Sequence, residues 1–350
     1  MNKKLIGNLA LLILGVLMAA VVLEVFLRVF NQVQFQDDNL VNDDYLGYKI
    51  KPNLDTIIYT PEKYPFRLKT VSLGFERIGF RGDGYENNPD IITIGDSFTF
   101  AVGVNSSDSW PKLLEKDLNK TVLNMGVWGY STIAEERLLE RYGIKSKPKL
   151  IILGFSVNDF SDSYNFLQTT SPSKPLGDYL KENVAVYKFL WQKLGELKHD
   201  TEIINYNDGK LNFQFWPQPA LKNISPKFEK VKVGENYAKD SILRMEKLAE
   251  DNGSKLVIVM LPAKEQVYWN IVKNYLPNPN EYTYDYPDDV IMAFCGEKNL
   301  ICFDLRPQFK EHALNNEQLF FPVDSHYNEE GNKLIANEIY KYFAENQILN

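Results

Sequence analysis

The run Ile91-Ile92-Thr93-Ile94-Gly95-Asp96-Ser97-Phe98-Thr99 constrains the fold of this chain more than any other stretch. Four β-branched residues lead straight into Gly-Asp-Ser. Such a run reads as a buried strand, and the glycine reads as its abrupt end. Ser97 then stands just past the carboxyl end of a strand, where open α/β sheets place reactive groups. A hydroxyl held there on a tight strand-to-helix turn has the exposure a nucleophile needs. The same residues also fit a plainer job, because Asp and Ser are common helix caps.

From residue 91 onward, strand and helix patterns alternate. Strands are expected at 91–95, 121–125, 150–155, 256–261 and 300–305. Helices are expected at 109–118, 132–142, 235–250, 290–297 and 329–343, the last capped by Asn328. The helix at 132–142 reads as charged and amphipathic. Near-continuous apolar strands between helices imply a doubly wound, three-layer α/β fold with a parallel, flavodoxin-like sheet. Residues 161–234 break the rhythm. Their aromatics, among them Tyr187, Trp191, Phe213 and Phe215, suggest an insertion beside the sheet, as a lid, a substrate wall or plain packing.

The chain begins Met-Asn-Lys-Lys and continues with an apolar run, Leu5 to Leu23, broken only by Asn8. A helix of this length crosses the hydrocarbon core of a bilayer. Ala19-Ala20 is followed by bulky residues rather than a small-x-small cleavage site, which favours an uncleaved anchor over residues 1–30. Lys3 and Lys4 place its start in the cytoplasm and the remainder outside. Glu24 and Arg28 are expected at the far interface, with their stems snorkelling. Residues 31–90, punctuated by Pro52, Pro61, Pro65 and Pro89, read as a connector of short strands and turns packed on the main domain at 91–350. Gly79-Phe80-Arg81 carries no chemistry that the sequence argues.

A serine needs a base to take its proton, and histidine is the usual one near neutral pH. The chain has three. His199 and His312 lie in charged segments and read as solvated. His326 follows Phe320-Phe321-Pro322-Val323-Asp324-Ser325 and stands just before the last helix. Asp324 can hold the imidazole in one tautomer and stabilise its cation, provided that 322–327 is a loop. A tetrahedral oxyanion also needs donors, each supplying on the order of 10²–10³ in rate. Glycines follow the second strand, at Gly126 and Gly129, and Asn158 follows the third.

Taken together, these residues resemble the SGNH (GDSL-type) hydrolases. Gly95-Asp96-Ser97-Phe98-Thr99 looks like the first family block, and Val127-Trp128-Gly129-Tyr130-Ser131 like the second. Gly154-Phe155-Ser156-Val157-Asn158-Asp159 is similar to the third, stretched by one residue, and Asp324-Ser325-His326 to the fifth. The resemblance covers about residues 75–345. It implies Ser97 as nucleophile, with its backbone N–H as a donor, and His326 as base oriented by Asp324. Gly129, with Gly126 in reserve, and Asn158 would be the further oxyanion donors. The commonest family pattern has two residues between Asp and His, and here there is one. That spacing occurs in branches that include cell-surface polysaccharide acetylation enzymes. In this family the histidine can also lean on a backbone carbonyl, which leaves the role of Asp324 open.

The resemblance implies acyl–oxygen chemistry on an acylated small molecule or glycan, by an esterase or by an O-acyltransferase from a membrane-anchored bacterial branch. A non-catalytic anchored glycan-binding or assembly protein is the alternative from another class. No cofactor is called for. Asp324 and His326 alone are too few ligands for a metal. The net charge of −7 gives no sign of a nucleic-acid surface. Cys295 and Cys302 fit either a disulfide or two buried thiols.

Overall fold

The computed structural model describes residues 3–29, 39–72, 74, 78–84, 88–169, 176–199 and 203–349. Residues 1, 2 and 30 of the expected anchor, parts of the expected connector (31–38, 73, 75–77 and 85–87) and parts of the expected insertion (170–175 and 200–202) lie outside the described residues, as does the side chain of His199. The chain forms two compact units, residues 1–38 with 171–202, and residues 39–170 with 203–350.

In the larger unit the strands run β1 Leu40–Asp43, β2 Gly47–Ile50, β3 Asp55–Tyr59, β4 Pro65–Val71, β5 Phe80–Arg81 and β6 Ile91–Gly95. They continue with β7 Val122–Asn124, β8 Leu150–Ser156, β9 Ile204–Asn207, β10 Asn212–Phe215, β11 Lys255–Leu261 and β12 Ile301–Asp304. One sheet has the order β12-β11-β8-β6-β7-β5-β4-β3. Its first five members, the strands expected from the sequence, are parallel. Counted in chain order they lie 5-4-3-1-2, the flavodoxin-like order. Strand order reverses between β6 and β8, and the carboxyl ends at such a reversal open a crevice.

The sheet is mixed rather than wholly parallel. β5, β4 and β3 add antiparallel strands at one edge. In β4, Phe66, Leu68 and Thr70 are buried while Arg67 is exposed, the period of two of a half-buried strand. The outermost strand, β3, is mostly exposed and carries Asp55, paired with Arg67 at 2.6 Å. Charge on an edge of this kind discourages pairing with another chain.

Alternation along the central strands supplies both faces with core. Ile92, Ile94, Ile151, Leu153, Ile258 and Met260 join one apolar cluster, with Leu138, Ile242 and Ile291 from its covering helices. Ile91, Leu150, Ile152, Val257 and Val259 join the other, with Leu114, Phe309, Ile335 and Ile339. Helices Thr132–Leu138, Glu229–Asp251 and Tyr286–Lys298 therefore cover one face. Helices Trp110–Leu118, Arg306–Leu314 and Glu329–Glu345 cover the other. Phe213 and Phe215, from the hairpin β9–β10, are fully buried in the second cluster, so packing accounts for them. Cys295 and Cys302 are joined in a disulfide.

In the smaller unit, helix Lys3–Val29 contains a 24-residue apolar segment, Ile6–Val29, long enough to cross a membrane. Helices Leu176–Asn183 and Ala185–His199 accompany it. Glu24 accepts hydrogen bonds from the backbone N–H groups of Ala185 and Val186, both at 2.9 Å. Arg28 pairs with Glu24 and donates to the Asn183 carbonyl at 2.6 Å. These two charges therefore satisfy a helix start, a task the sequence did not reveal.

Candidate active site

Ser97 is the first residue of a one-turn helix, Ser97–Phe100, set directly on the end of β6. Asp96 caps it by accepting from the Phe98 N–H at 2.9 Å. The capping reading thus holds for Asp96, while the Ser97 hydroxyl is directed elsewhere. Gly95 is required by space, because a Cβ there would lie 2.2 Å from Thr99 Oγ1 and 2.7 Å from the Gly154 carbonyl. Arg81, for which the sequence offered no role, is buried behind this turn. Its guanidinium donates to the carbonyls of Phe100 at 2.6 Å and Ala101 at 2.8 Å, and also to that of Val104. It stacks 4.4 Å from the Phe100 ring centroid.

His326 reaches the same point from the far end of the chain. Its Nε2 lies 2.7 Å from Ser97 Oγ. Its Nδ1 meets Asp324 Oδ1, and the same oxygen accepts the His326 backbone N–H at 2.9 Å. With one residue between them, Asp324 bonds the backbone two positions on, in an Asx-turn, and this brings ring and carboxylate to one side. The loop is closed by the Phe321 N–H, which donates to the His326 carbonyl at 3.0 Å, and Phe98 packs against the imidazole. Burial pushes the Asp324 carboxyl up, but hydrogen bonds from His326 and the nearby His326 and Lys264 charges outweigh it, so the group sits below its usual range.

The second and third strand ends flank the Ser97 turn. The Val127 N–H donates to the Gly95 carbonyl at 3.0 Å, fixing the loop after β7 against the end of β6. Gly126 packs on the Ser97 helix, where a Cβ would lie 2.4 Å from the Phe100 nitrogen. Its N–H donates to Asn124 Oδ1 at 2.9 Å, so Gly126 is not a free donor. Gly129 has φ +74°, a left-handed conformation that suits glycine. Tyr48 backs this loop through its hydroxyl, which donates to the Trp128 carbonyl at 2.8 Å.

Asn158 follows β8. Its Nδ2 donates to Asp162 Oδ2 at 2.7 Å and makes a long contact, 3.4 Å, with Asp96 Oδ2. Ser156 Oγ donates to Asp96 Oδ1 at 3.0 Å. Burial pushes the Asp96 carboxyl up, and the Phe98 N–H, the His326 charge, Ser156 and Asn158 offset only part of that. Burial also pushes Asp162 up, to about 6. Glu135 and Asp159 are fully buried, and this, with neighbouring carboxyls, holds both well above their usual range. The helix at 132–138, expected to be merely charged and amphipathic, thus carries an acid into the core. Nothing in its spacing signals that, since Glu135 looks like any surface glutamate.

His312, on the outer side of helix Arg306–Leu314, pairs with Glu317 at 2.8 Å. Among the described residues, no group of three or more His, Cys, Asp or Glu side chains could hold a metal ion.

Several solved structures are similar to this chain. A lipolytic protein of the G-D-S-L family from Desulfitobacterium hafniense DCB-2 shares 16% identity over 72% of this chain and 97% of its own, with a TM-score of 0.41. The psychrotrophic esterase EstA from Pseudoalteromonas sp. shares 14% over 76% and 100%, with a TM-score of 0.39. A catalytic mutant of Axe2, an acetylxylan esterase from Geobacillus stearothermophilus, shares 12% over 74% and 94%, with a TM-score of 0.40. No curated protein matches in sequence. The family model described as the GDSL-like Lipase/Acylhydrolase family matches residues 93–334, from within β6 to within the last helix. That span takes in the Ser97 turn, the loop after β7, Asn158 and the His326 loop alike, and the chain belongs to the GDSL-like lipase/acylhydrolase family.

Proposed function

We propose that this protein is a serine esterase that cleaves an O-acyl ester through an acyl-enzyme on Ser97. The observation that carries the reading is the continuous Ser97–His326–Asp324 contact, with 2.7 Å between Oγ and Nε2. In this reading the Ser97 hydroxyl donates to Nε2, and Nδ1–H donates to Asp324. Attack on the ester carbonyl passes the serine proton to His326. Asp324, kept ionised, stabilises the resulting cation. Collapse of the tetrahedral intermediate expels the alcohol, which takes its proton from His326. Water, deprotonated by the same ring, then releases the acid.

The oxyanion would be met by the backbone N–H groups of Ser97 and Gly129 and by Asn158 Nδ2. Of the two Asn158 N–H bonds, the one to Asp162 is short and charge-assisted, while the one to Asp96 is long and weak. A developing oxyanion competes for the second. Asp162 then fixes the amide plane while the other hydrogen serves the substrate.

Three further observations favour an acceptor outside the cytoplasm. The apolar helix Ile6–Val29 is long enough to anchor the chain, and Lys3 and Lys4 precede it. The Cys295–Cys302 disulfide suits an oxidising compartment. A glycan hydroxyl in place of water would make the same residues an O-acyltransferase. The test is turnover of a short-chain nitrophenyl ester by the detergent-solubilised chain, with and without a glycan acceptor. Ser97→Ala is expected to abolish acyl release, and unchanged release would overturn the proposal. Acyl transfer that outpaces hydrolysis when the glycan is present would select the transferase.

A further inference from the structure

Lys264 follows β11 and begins the short helix Lys264–Val267. Its side chain is completely buried, an expensive place for an ammonium. No carboxylate among the described residues lies within ion-pair distance of it. Its Nζ instead lies within hydrogen-bond distance of four successive backbone carbonyls, of Phe321 at 3.2 Å, Pro322 at 3.4 Å, Val323 at 3.4 Å and Asp324 at 2.8 Å, and shares its three hydrogens among them. Those carbonyls belong to the loop that carries Asp324 and His326. Four carbonyl dipoles converging on one point repel each other unless a cation sits among them. The Lys264 ammonium offsets that repulsion.

The opposite edge of the same backbone is also held. Glu62, in the turn between β3 and β4, accepts the N–H of Val323 and that of Asp324, the latter at 2.5 Å, on a single oxygen, Oε1. Val323 and Asp324 are thus gripped through their carbonyls by a cation and through their amides by an anion. The Asp324 carboxylate leads on from that held backbone to His326, and His326 to Ser97. The Tyr327 hydroxyl adds a tie to the Pro262 carbonyl at 2.6 Å, two residues before Lys264. Burial lowers the Lys264 ammonium to about 8, with Glu265, Asp324 and Glu62 opposing the shift.

We propose that Lys264 and Glu62 are paired positioning residues, which grip opposite edges of the Phe321–Asp324 backbone and so aim the Asp324–His326 pair at Ser97. The proposal rests on the esterase reading above. Neither residue touches the reacting atoms, so their loss acts on the rate of the chemical step rather than on substrate capture.

The test uses the full chain in detergent, first confirming that the wild type turns over a nitrophenyl ester and is labelled at Ser97 by a fluorophosphonate. Lys264→Met is expected to lower kcat roughly 10- to 100-fold with KM within about twofold, the scale of a misaimed catalytic group. Lys264→Arg, which keeps a cation in the cage, is expected to recover much of that loss. Glu62→Ala changes a half-buried turn residue whose loss leaves the core intact, and so it carries the test if Lys264→Met does not fold. It is expected to lower kcat about 10-fold and to speed amide hydrogen exchange at Val323 and Asp324. Folded Lys264→Met and Glu62→Ala variants with wild-type kcat and wild-type exchange would overturn the grip and leave the esterase standing. A wild type that is neither active nor labelled would remove the esterase reading, and exchange at Val323 and Asp324 would then decide the grip by itself.

Discussion

The Nε2 of His326 lies 2.7 Å from the Oγ of Ser97, although 229 positions of chain separate the two residues. The sheet makes this meeting possible, because β6 delivers Ser97 at its carboxyl edge and the loop before the last helix returns to the same edge. Phe98, next to the serine, stabilises the approach. Its ring centroid stands 5.0 Å from that of His326 and 5.1 Å from that of Tyr327. Ser97 and His326 are therefore joined through the apolar packing of Phe98 as well as through one hydrogen bond.

Asp324 offers one oxygen to both the ring and the backbone of His326. Asp324→Asn leaves an acceptor for the backbone N–H but weakens the preference for the tautomer with hydrogen on Nδ1. Turnover of a nitrophenyl ester should fall by about 10²–10⁴ with little change in Tm. A fall of less than about threefold would mean that a backbone carbonyl orients the ring instead, and that Asp324 is a turn residue.

Asp162 gives a pH-dependent prediction. Its carboxyl moves from an ordinary 3.8 to about 6 on folding, chiefly through burial. A raised folded pKa contributes stability that is fully present below the unfolded value and is lost as pH rises through the folded one. Above pH 6 the folded state therefore carries a cost of up to roughly 3 kcal/mol. Asp162→Asn removes that cost. Urea unfolding should show little difference from wild type at pH 4 and a stabilisation that grows to pH 7. Turnover should fall at the same time, since Asn158 loses its charged partner. A stability difference that does not vary with pH would contradict the assignment.

The parallel core and the Ser97 turn were legible because each has a local signature. An apolar run that ends in glycine is a property of a few consecutive residues, and so is an acid two places before a histidine. The antiparallel edge was harder to read. β5 is two residues long, and β3 is exposed over most of its length, so neither shows a strong period. The buried charges were not legible at all. Arg81, Glu135 and Lys264 look like surface residues in sequence. What receives Arg81 and Lys264 inside is a cage of carbonyls contributed by other segments of the chain, and Glu135 is buried beside other carboxyls that hold its proton on. The fate of the cysteines was equally open, because pairing depends on how a helix end meets the next strand.

That pairing can be measured. The disulfide closes a loop with a sequence separation of seven between Cys295 and Cys302, linking helix Tyr286–Lys298 to β12. Chain entropy for so short a loop gives about 2.5 kcal/mol. The double variant Cys295→Ser, Cys302→Ser should lose roughly 4–8 °C in Tm, and the wild type should lose as much on reduction. Ester turnover at a temperature well below Tm should be unchanged, because neither sulfur approaches Ser97. Equal Tm values for oxidised wild type and double variant would show that the bridge does not form.

Glu24 joins the two halves of the smaller unit. A carboxylate near the end of an apolar helix would ordinarily be expected to seek water. Here both of its oxygens are committed to backbone donors, at Ala185 and Val186, in the first turn of helix Ala185–His199. Those N–H groups have no partner within their own helix, so a side chain from elsewhere in the chain must satisfy them. Arg28 completes the arrangement by pairing with Glu24 and donating to Asn183, just before that helix begins. Losing an acceptor of this kind costs about 1 kcal/mol, or up to about 2. Glu24→Ala in detergent micelles should therefore speed amide exchange at Ala185 and Val186 by about 5- to 30-fold, that energy expressed as an opening equilibrium. Glu24→Gln, which keeps one acceptor, should fall between Glu24→Ala and the wild type. Exchange at the Ser97 turn, in the other unit, should not change. Unaltered exchange at Ala185 and Val186 in Glu24→Ala would show that this helix start finds its acceptors elsewhere.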